Sequence, residues 1–183
     1  MSKRFFIFGY GSLMHPRAVP YESYNPIGTA EIVGWQRDWC TPIHSRTSTS
    51  LGIKRKKDVT CNGVVFEVQE RDFSRLQTRE LEYQMVQLTP EELQTENPLP
   101  GLCYLFQPSE PAPASESYPI NQTYIDVVVD SLFQFGDRFV DQFFESTTGW
   151  GPIRSDREAP RYPRHLNDLD CGRIDQILAE KLA

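Results

Sequence analysis

The stretch FFIFGYGSLM, residues 5–14, is the feature that most constrains the fold of this chain. Four hydrophobic residues, which indicate a buried strand, run directly into the turn Gly9-Tyr10-Gly11-Ser12. Glycine has no Cβ atom, so it permits positive φ and lets a ligand approach the main chain closely. Successive N–H groups in such a turn can bind an anion. The pattern predicts either a tight turn without a ligand or a site for a carboxylate or an oxyanion.

Two better-known glycine-rich motifs do not fit this turn. A Walker-type phosphate loop requires GxxxxGK[ST], and no lysine follows the turn. A dinucleotide-binding fingerprint requires a third glycine and a helix, whereas Pro16 follows here. With these two motifs set aside, a tight turn without a ligand and a site for another small anion both remain open.

The length and net charge of the chain limit the kinds of protein that it can be. A chain of 183 residues suits one domain, 1–183, with a sizeable core. The net charge of −6 argues against nucleic-acid binding, because phosphate contacts require a positive surface. No run approaches the roughly 20 apolar residues that cross a bilayer, and the start MSKRFFIFGYGS is too short in apolar residues for a secretory signal. We expect a cytoplasmic protein with no nucleic-acid and no membrane partner.

The cysteines and histidines do not predict a metal site. The four cysteines lie far apart and form no CxxC pair: Cys40, Cys61, Cys103 and Cys171. The three histidines do not supply ligands at zinc-finger spacing. We therefore expect buried, reduced thiols, no metal and no cofactor.

Strand-like segments fill the first part of the chain. They are 4–8, 28–40, 48–54, 60–68, 82–88 and 101–106. The alternation in 28–40 suits a long strand bent at Gly34. The basic run Lys54–Lys57 before Asp58 is interpreted as a solvated hairpin turn rather than a polyanion site.

Helical patterns dominate the second part. Short helices are predicted at 70–77 and from Thr89, and a proline- and serine-rich loop follows at 107–119. A helix then begins near Asn121, breaks at Gly136-Asp137 and resumes, and a final helix covers 166–182. The prediction is an α+β domain. It has a small, mostly antiparallel β-barrel core in about 4–106, short helices, and a helical C-terminal part in about 120–183 packed on the barrel.

The segment LQTRELEY, residues 76–83, offers a candidate proton carrier. Glu80 stands where the short helix ends and just before a strand that opens with Glu82 and Tyr83. A glutamate desolvated by apolar strands has a raised pKa and can carry protons near neutral pH. The residue types alone leave open a solvated glutamate that simply pairs with Arg79.

Four elements of the sequence resemble, in order, the γ-glutamylcyclotransferase-like superfamily. They are FxYGSL at Phe8–Leu13, GVVFxV at Gly63–Val68, LxxxE followed by a tyrosine at Leu76–Tyr83, and QxY at Gln122–Tyr124. The first and third motifs are the specific ones. The resemblance covers about residues 4–145, and it departs from the family at Leu81, where members often have glycine.

The resemblance implies roles for particular residues. Glu80 matches the catalytic glutamate of the family. The substrate-binding residues implied by position are Phe8, Gly9, Tyr10, Gly11, Ser12, Leu13 and Tyr124. Tyr124 also sits on an apolar helix stripe, so it can instead be a packing residue.

The implied activity is that of a γ-glutamylcyclotransferase, an amide-cleaving acyltransferase or lyase that forms 5-oxoproline. The α-amine of a γ-glutamyl group attacks its own γ-carbonyl, with Glu80 as general acid and base, and needs no metal or cofactor. The partner would be a small γ-glutamyl compound bound by a monomer or dimer. The alternative is a non-catalytic small-anion-binding or regulatory module on the same fold.

The segment 147–165 differs from its surroundings in being basic and aromatic. It contains Arg154, Arg157, Arg161 and Arg164 together with Trp150 and Tyr162. These residues either reach the pocket and select an acidic leaving group or pin the segment to the sheet. The sequence favours the structural role without excluding the other.

Overall fold

The computed structural model describes residues 4–19 and 25–183, which form nine strands and four α-helices. The strands are β1 Phe5–Gly9, β2 Asn25–Ile43, β3 Ser48–Val68, β4 Tyr83–Gln87, β5 Leu93–Thr95, β6 Leu102–Pro108, β7 Ile120–Asn121, β8 Thr147–Thr148 and β9 Ile153–Arg154. The α-helices are α1 Glu70–Arg79, α2 Gln122–Phe133, α3 Asp137–Glu145 and α4 Cys171–Lys181. Single 3-10 turns occur at Ser12–Met14, Pro16–Ala18 and His44–Arg46.

One mixed sheet runs in the order β4-β6-β1-β3-β2-β5. Its long pairings, β1 with β3 and β2 with β3, are antiparallel, while β1 pairs with β6 in parallel. The short strands β7, β8 and β9 also attach through parallel pairings. The mixed α and β content agrees with the prediction. A closed antiparallel barrel is not confirmed, because the sheet is open and partly parallel.

The longest feature is the ribbon formed by β2 and β3. The predicted bend at Gly34 is confirmed: the register shifts between Val33 and Trp35, and Gly34 has a φ of 82° that suits glycine. The predicted hairpin turn at Lys54–Lys57 is wrong, because β3 continues through these residues. Lys54 instead reaches across to β2, where its Nζ lies 2.5 Å from a carboxylate oxygen of Asp38.

The helix predicted from Thr89 is not formed; a single turn and then strand β5 take its place. The Thr89 carbonyl accepts a hydrogen bond from the Glu92 amide at 3.1 Å, which closes a single turn. The chain then enters β5, because pairing with β2 competes successfully with further helix formation. The helix break at Gly136 is confirmed, with a φ of 84° between α2 and α3.

The core has two parts, one on each face of the sheet. Alternation along β1 directs Phe6 and Phe8 into the larger part, which contains the buried face of α2, and Ile7 into a smaller part beneath α1. Leu76 of α1 is fully buried in the smaller part. The end of β1 and the end of α1 are thereby brought to the same region of the molecule.

All four cysteines are free thiols, as expected. Cys40, Cys61 and Cys103 are buried, and burial raises the pKa of Cys40 and of Cys103 to about 12. Cys171, at the start of α4, is only partly buried. Within the described residues, no helix is both long enough and apolar enough to cross a membrane.

Candidate active site

The turn after β1 is built around two glycines that have different neighbours. A Cβ atom on Gly9 would lie 3.1 Å from the main chain of Leu13, a tight contact that glycine avoids. A Cβ atom on Gly11 would lie 3.0 Å from the hydroxyl oxygen of Tyr124 on α2. Gly11 therefore allows the Tyr124 hydroxyl to approach the main chain of the turn.

The turn presents main-chain donors that the fold does not use. The Met14 amide donates to the Gly11 carbonyl at 2.9 Å and the His15 amide donates to the Ser12 carbonyl at 3.1 Å. No described residue accepts a hydrogen bond from the amides of Gly11, Ser12 or Leu13. These N–H groups remain available to an anion or to water.

The end of α1 positions Glu80. Its amide donates to the carbonyls of Leu76 and Gln77, both at 3.2 Å, and its own carbonyl accepts from the Tyr83 amide at 3.0 Å. This turn leads the chain straight into β4 and directs the Glu80 carboxylate inward, where the side chain is 13% exposed. Arg79 Nε lies 2.9 Å from one of the carboxylate oxygens.

The surroundings of Glu80 act on its pKa in opposite directions. Burial raises the pKa of the Glu80 carboxyl and is the largest effect. The positive charges of Arg79, Arg164 and Arg46 lower it, in that order. The net shift is upward, because the loss of hydration outweighs the nearby cations.

Glu80 and the turn line one small cavity of about 30 Å³. Its lining residues are Tyr10, Gly11, Ser12, Leu13, Leu51, Glu80, Tyr83, Phe106 and Tyr124. The structure thus brings together six of the eight residues that the resemblance implies. Phe8 and Gly9 do not line the cavity: Phe8 is fully buried in the core, and Gly9 lies against Leu13.

Two tyrosines fix the cavity walls through main-chain contacts. The Tyr10 hydroxyl donates to the Phe106 carbonyl, and the Tyr83 hydroxyl donates to the Leu51 carbonyl at 2.7 Å. Burial raises the pKa of both phenols, so they remain neutral donors. Tyr83 was part of the sequence motif but was not predicted to be a site residue.

Tyr124 meets the cavity from α2 and is packed by aromatic rings. Its ring makes edge contacts with Trp39 at 5.7 Å and Tyr162 at 5.0 Å. Burial raises the pKa of the Tyr124 phenol, and its interaction with the Ser12 side chain partly offsets the rise. Tyr124 therefore packs in the core and also places a neutral hydroxyl beside the turn.

Part of the basic segment 147–165 has a structural role. Arg157 forms paired hydrogen bonds of 2.7–2.9 Å to Asp126 of α2 and Asp175 of α4. Arg154 donates to the Thr47 carbonyl at 3.1 Å. These contacts tie the segment to the sheet and helices, as the sequence favoured.

The end of the same segment approaches the cavity. Tyr162 is buried against Tyr124, and the charge of Arg164, two residues later, lowers the pKa of Glu80. Arg46, from the turn between β2 and β3, acts on Glu80 in the same direction. Although the protein carries a net charge of −6, the surroundings of Glu80 include three arginines.

No group of three or more histidine, cysteine, aspartate or glutamate side chains is placed to hold a metal ion within 4–19 and 25–183. The chemical groups that the cavity offers include one carboxyl, main-chain amides, neutral phenols and the Ser12 hydroxyl.

Comparisons with known proteins identify a family and a shared fold. A family model described as ChaC-like protein matches residues 5–129. A solved structure of a γ-glutamyl cyclotransferase superposes with a TM-score of 0.63 at 15% identity, covering 97% of this chain and 99% of that one. An uncharacterized protein from Homo sapiens superposes with a TM-score of 0.62 at 15% identity, covering 76% and 85%. At such identities the likeness shows a shared fold.

A third structure, YkqA from Bacillus subtilis, has a TM-score of 0.55 at 19% identity and covers 78% of this chain and 53% of that one. No curated protein matches the sequence.

Proposed function

The chain belongs to the ChaC-like protein family, which confirms the resemblance to the γ-glutamylcyclotransferase-like superfamily, and from this membership we propose a reaction. The protein cyclises a γ-glutamyl amine or peptide to 5-oxoproline. One observation carries the proposal: the Glu80 carboxyl and the turn at residues 10–13 line the same cavity. A proton carrier and a set of anion-binding amides are the two parts that this reaction requires.

The proposed reaction is an internal aminolysis. The α-amine nitrogen of the substrate attacks its own γ-carbonyl carbon, forming the five-membered ring, and the original amide C–N bond breaks. Glu80 takes a proton from the attacking amine and gives one to the departing nitrogen, so the carboxylate is restored. General acid–base catalysis of this kind contributes about 10²–10⁴ in rate. The raised pKa of Glu80 supports this role, because it moves the carboxyl towards the pH at which both transfers are efficient.

The turn would bind the negative end of the substrate. The amides of Gly11, Ser12 and Leu13 have no acceptor among the described residues, so they can donate to the α-carboxylate or to the oxyanion that forms at the γ-carbon. Loss of one oxyanion donor typically costs roughly 3–4 kcal/mol of transition-state stabilisation. The arginines near Glu80 favour an anionic substrate in the same place.

Holding the substrate in a folded shape is the second contribution. Well-oriented intramolecular reactions reach effective molarities on the order of 10⁵ M or more, so positioning can equal proton transfer in importance. The neutral hydroxyl of Tyr124, next to Gly11, is a suitable donor to the curled γ-glutamyl chain.

The size of the cavity bears on both candidate functions. Its volume is about 30 Å³, and it opens to solvent. When a γ-glutamyl group binds, either the lining moves apart or part of the substrate stays in the opening. The same small volume is the observation that favours the second candidate, a non-catalytic module that binds a small anion.

The test is replacement of Glu80 by Gln, which keeps the shape of the side chain and removes its proton chemistry. Wild-type protein is incubated with glutathione, γ-glutamyl dipeptides and γ-glutamylamines, and 5-oxoproline is measured by mass spectrometry. We expect turnover of at least one class and its loss, by about 10²-fold or more, in Glu80→Gln.

Glu70→Gln is the matched control, since Glu70 is an exposed glutamate at the other end of α1. It should leave turnover unchanged. Equal turnover by the wild type and Glu80→Gln would overturn the catalytic assignment. If the wild type converts no γ-glutamyl compound yet binds small carboxylates, the anion-binding module is the better description.

A further inference from the structure

Arg37, in the middle of β2, is a buried cation with no anionic partner among the described residues. Its side chain is fully buried, and it forms no ion pair with any described residue. Lone charges are rarely buried, because the lost hydration costs several kcal/mol per ion. Because a buried, unpaired charge does not favour stability, its presence indicates that Arg37 has another role.

The guanidinium is held entirely by neutral groups. Its Nη1 and Nη2 atoms donate to Ser146 Oγ at 3.1 Å, Thr147 Oγ1 at 3.2 Å, the Phe143 carbonyl at 3.3 Å, and the Asn62 carbonyl and Oδ1. The Phe143 ring lies 4.2 Å from the guanidinium carbon. These contacts occupy both Nη atoms of Arg37, and no described residue cancels its positive charge.

The remaining donor of Arg37 reaches the site. Its Nε donates to the Tyr10 carbonyl at 2.8 Å, so the first peptide group of the turn is tied to β2. The peptide between Tyr10 and Gly11 is trans, which directs the Gly11 N–H opposite to the Tyr10 carbonyl. Because that carbonyl faces Arg37, the Gly11 N–H is directed away from Arg37, and Gly11 lines the cavity.

We propose that Arg37 is a positioning residue for the anion-binding turn: it fixes the Tyr10–Gly11 peptide and places an uncancelled positive charge behind it. The inference rests on the proposed function for the identity of the anion. Its structural half, the anchoring of the turn, does not depend on that function.

The first experiment measures amide hydrogen exchange in unliganded protein for wild type, Arg37→Lys and Arg37→Met. The reporters are the Met14 and His15 amides, which close the turn by donating to Gly11 and Ser12. Lysine keeps the positive charge but lacks the branched guanidinium, and methionine lacks both. Neither side chain can replace the hydrogen bond to the Tyr10 carbonyl, so the turn should open more often in both variants. We expect exchange at Met14 and His15 to accelerate by about tenfold relative to amides of the β2–β3 ladder.

Equal acceleration everywhere would mean that Arg37 only stabilises the fold, and it would overturn the positioning role. If Arg37→Met does not fold, the test uses Arg37→Lys alone, with the same comparison of exchange at Met14 and His15 against the β2–β3 ladder.

The second experiment separates the charge from the anchor. Binding of 5-oxoproline, which carries a carboxylate, is compared with binding of neutral 5-oxoprolinamide by calorimetry. Arg37→Met should weaken 5-oxoproline binding by about tenfold and the amide far less, whereas Arg37→Lys should retain most of the preference for the anion. Arg55→Met is the matched control, since Arg55 is a half-exposed cation on β3 outside the cavity.

Equal losses for the acid and the amide in Arg37→Met would overturn the role of the charge. If wild type binds neither compound, the role of the charge fails for this pair of ligands, the exchange ratio still decides whether Arg37 anchors the turn, and 5-oxoproline release still decides the proposed function. The two failures are therefore distinguishable.

Discussion

Two glutamates of this protein are each paired with an arginine, but they lie in different surroundings. Glu67, near the end of β3, accepts hydrogen bonds from Arg4 Nε at 2.6 Å and Nη2 at 2.8 Å. The Glu67 side chain is 21% exposed and that of Arg4 is 48% exposed. In the second pair, Arg79 Nε lies 2.9 Å from Glu80 Oε1, and both side chains are largely buried. Hydrogen bonding to Arg4 lowers the pKa of Glu67, whereas burial raises the pKa of Glu80.

The difference shows that solvent access decides what an arginine–glutamate pair does. Near the end of β3, water hydrates the carboxylate and the arginine adds a further stabilising contact. At the end of α1, the carboxylate has lost most of its hydration, and a single arginine contact does not compensate. The first pair links two elements, while the second leaves a carboxyl whose pKa lies above its ordinary value.

The largest expected effect comes from shortening the two side chains. Glu80→Asp withdraws the carboxyl by one methylene group, and a misplacement of about 1 Å can cost roughly 10²-fold in rate. Glu67→Asp should change turnover by less than about twofold, because the Glu67 pair lies outside the cavity. The measurement is kcat for 5-oxoproline release, and similar losses in the two variants would remove the functional distinction between the pairs.

The second effect is on stability, and its sign should differ between the pairs. The pKa of Glu80 is higher in the folded protein than in the unfolded chain, so stability is lost as pH rises through the folded pKa. Glu80→Gln should therefore stabilise the protein at pH 7, by about 1.4 kcal/mol per unit of pKa shift, and the gain should vanish below about pH 4.

Glu67 has a lowered pKa, so its contribution is present at pH 7 and is lost as pH falls through the folded pKa. Glu67→Gln should destabilise the protein at pH 7 by a few tenths of a kcal/mol, as expected of a solvent-screened pair. Urea unfolding at pH 7 and pH 4 measures both differences. Shifts of the same sign at pH 7 would contradict the comparison.

The third effect is on the pH dependence of turnover. The proposed base must be deprotonated, and Arg79 helps to keep it so. Arg79→Met should raise the pKa of Glu80 and move the acidic limb of kcat to higher pH by about one unit. Arg4→Met should leave the acidic limb of the kcat profile unchanged. An equal shift in both variants would show that this limb does not report the ionisation of Glu80.

The smallest effect is that of salt. Raising the ionic strength to about 1 M shortens the screening length to about 3 Å, which weakens exposed pairs more than buried ones. The pKa of Glu67, followed by carboxyl ¹³C NMR, should rise by a few tenths of a unit. The pKa of Glu80 should change less, and a larger change there would mean that water reaches its carboxyl.

The sequence predicted those parts of the molecule that depend on local chemistry. The bend at Gly34 and the helix break at Gly136 follow from the conformational freedom of glycine, and both have positive φ. The placement of Glu80 at a helix end before a strand also followed from local pattern. The predicted hairpin turn at Lys54–Lys57 was wrong because β3 continues through it: Lys54 and Arg55 pair with β2, and the register then shifts before Thr60.

The rest of the site depends on contacts between distant parts of the chain. Leu51 and Phe106 come from separate strands, and no local pattern points to the cavity they line. Arg37 did leave a signal that the prediction missed. It shares a strand face with Trp35 and Trp39, and a cation between two tryptophans on one face is a pattern that suggests a buried charge.

The unequal burial of the cysteines has a practical consequence. Three thiols are shielded inside the fold, and burial raises their pKa values, so only a minute fraction is thiolate at neutral pH. Cys171 is the most accessible of the four. A maleimide dye or spin label should therefore attach at the first residue of α4, which offers a native handle for following the molecule without engineering its sequence.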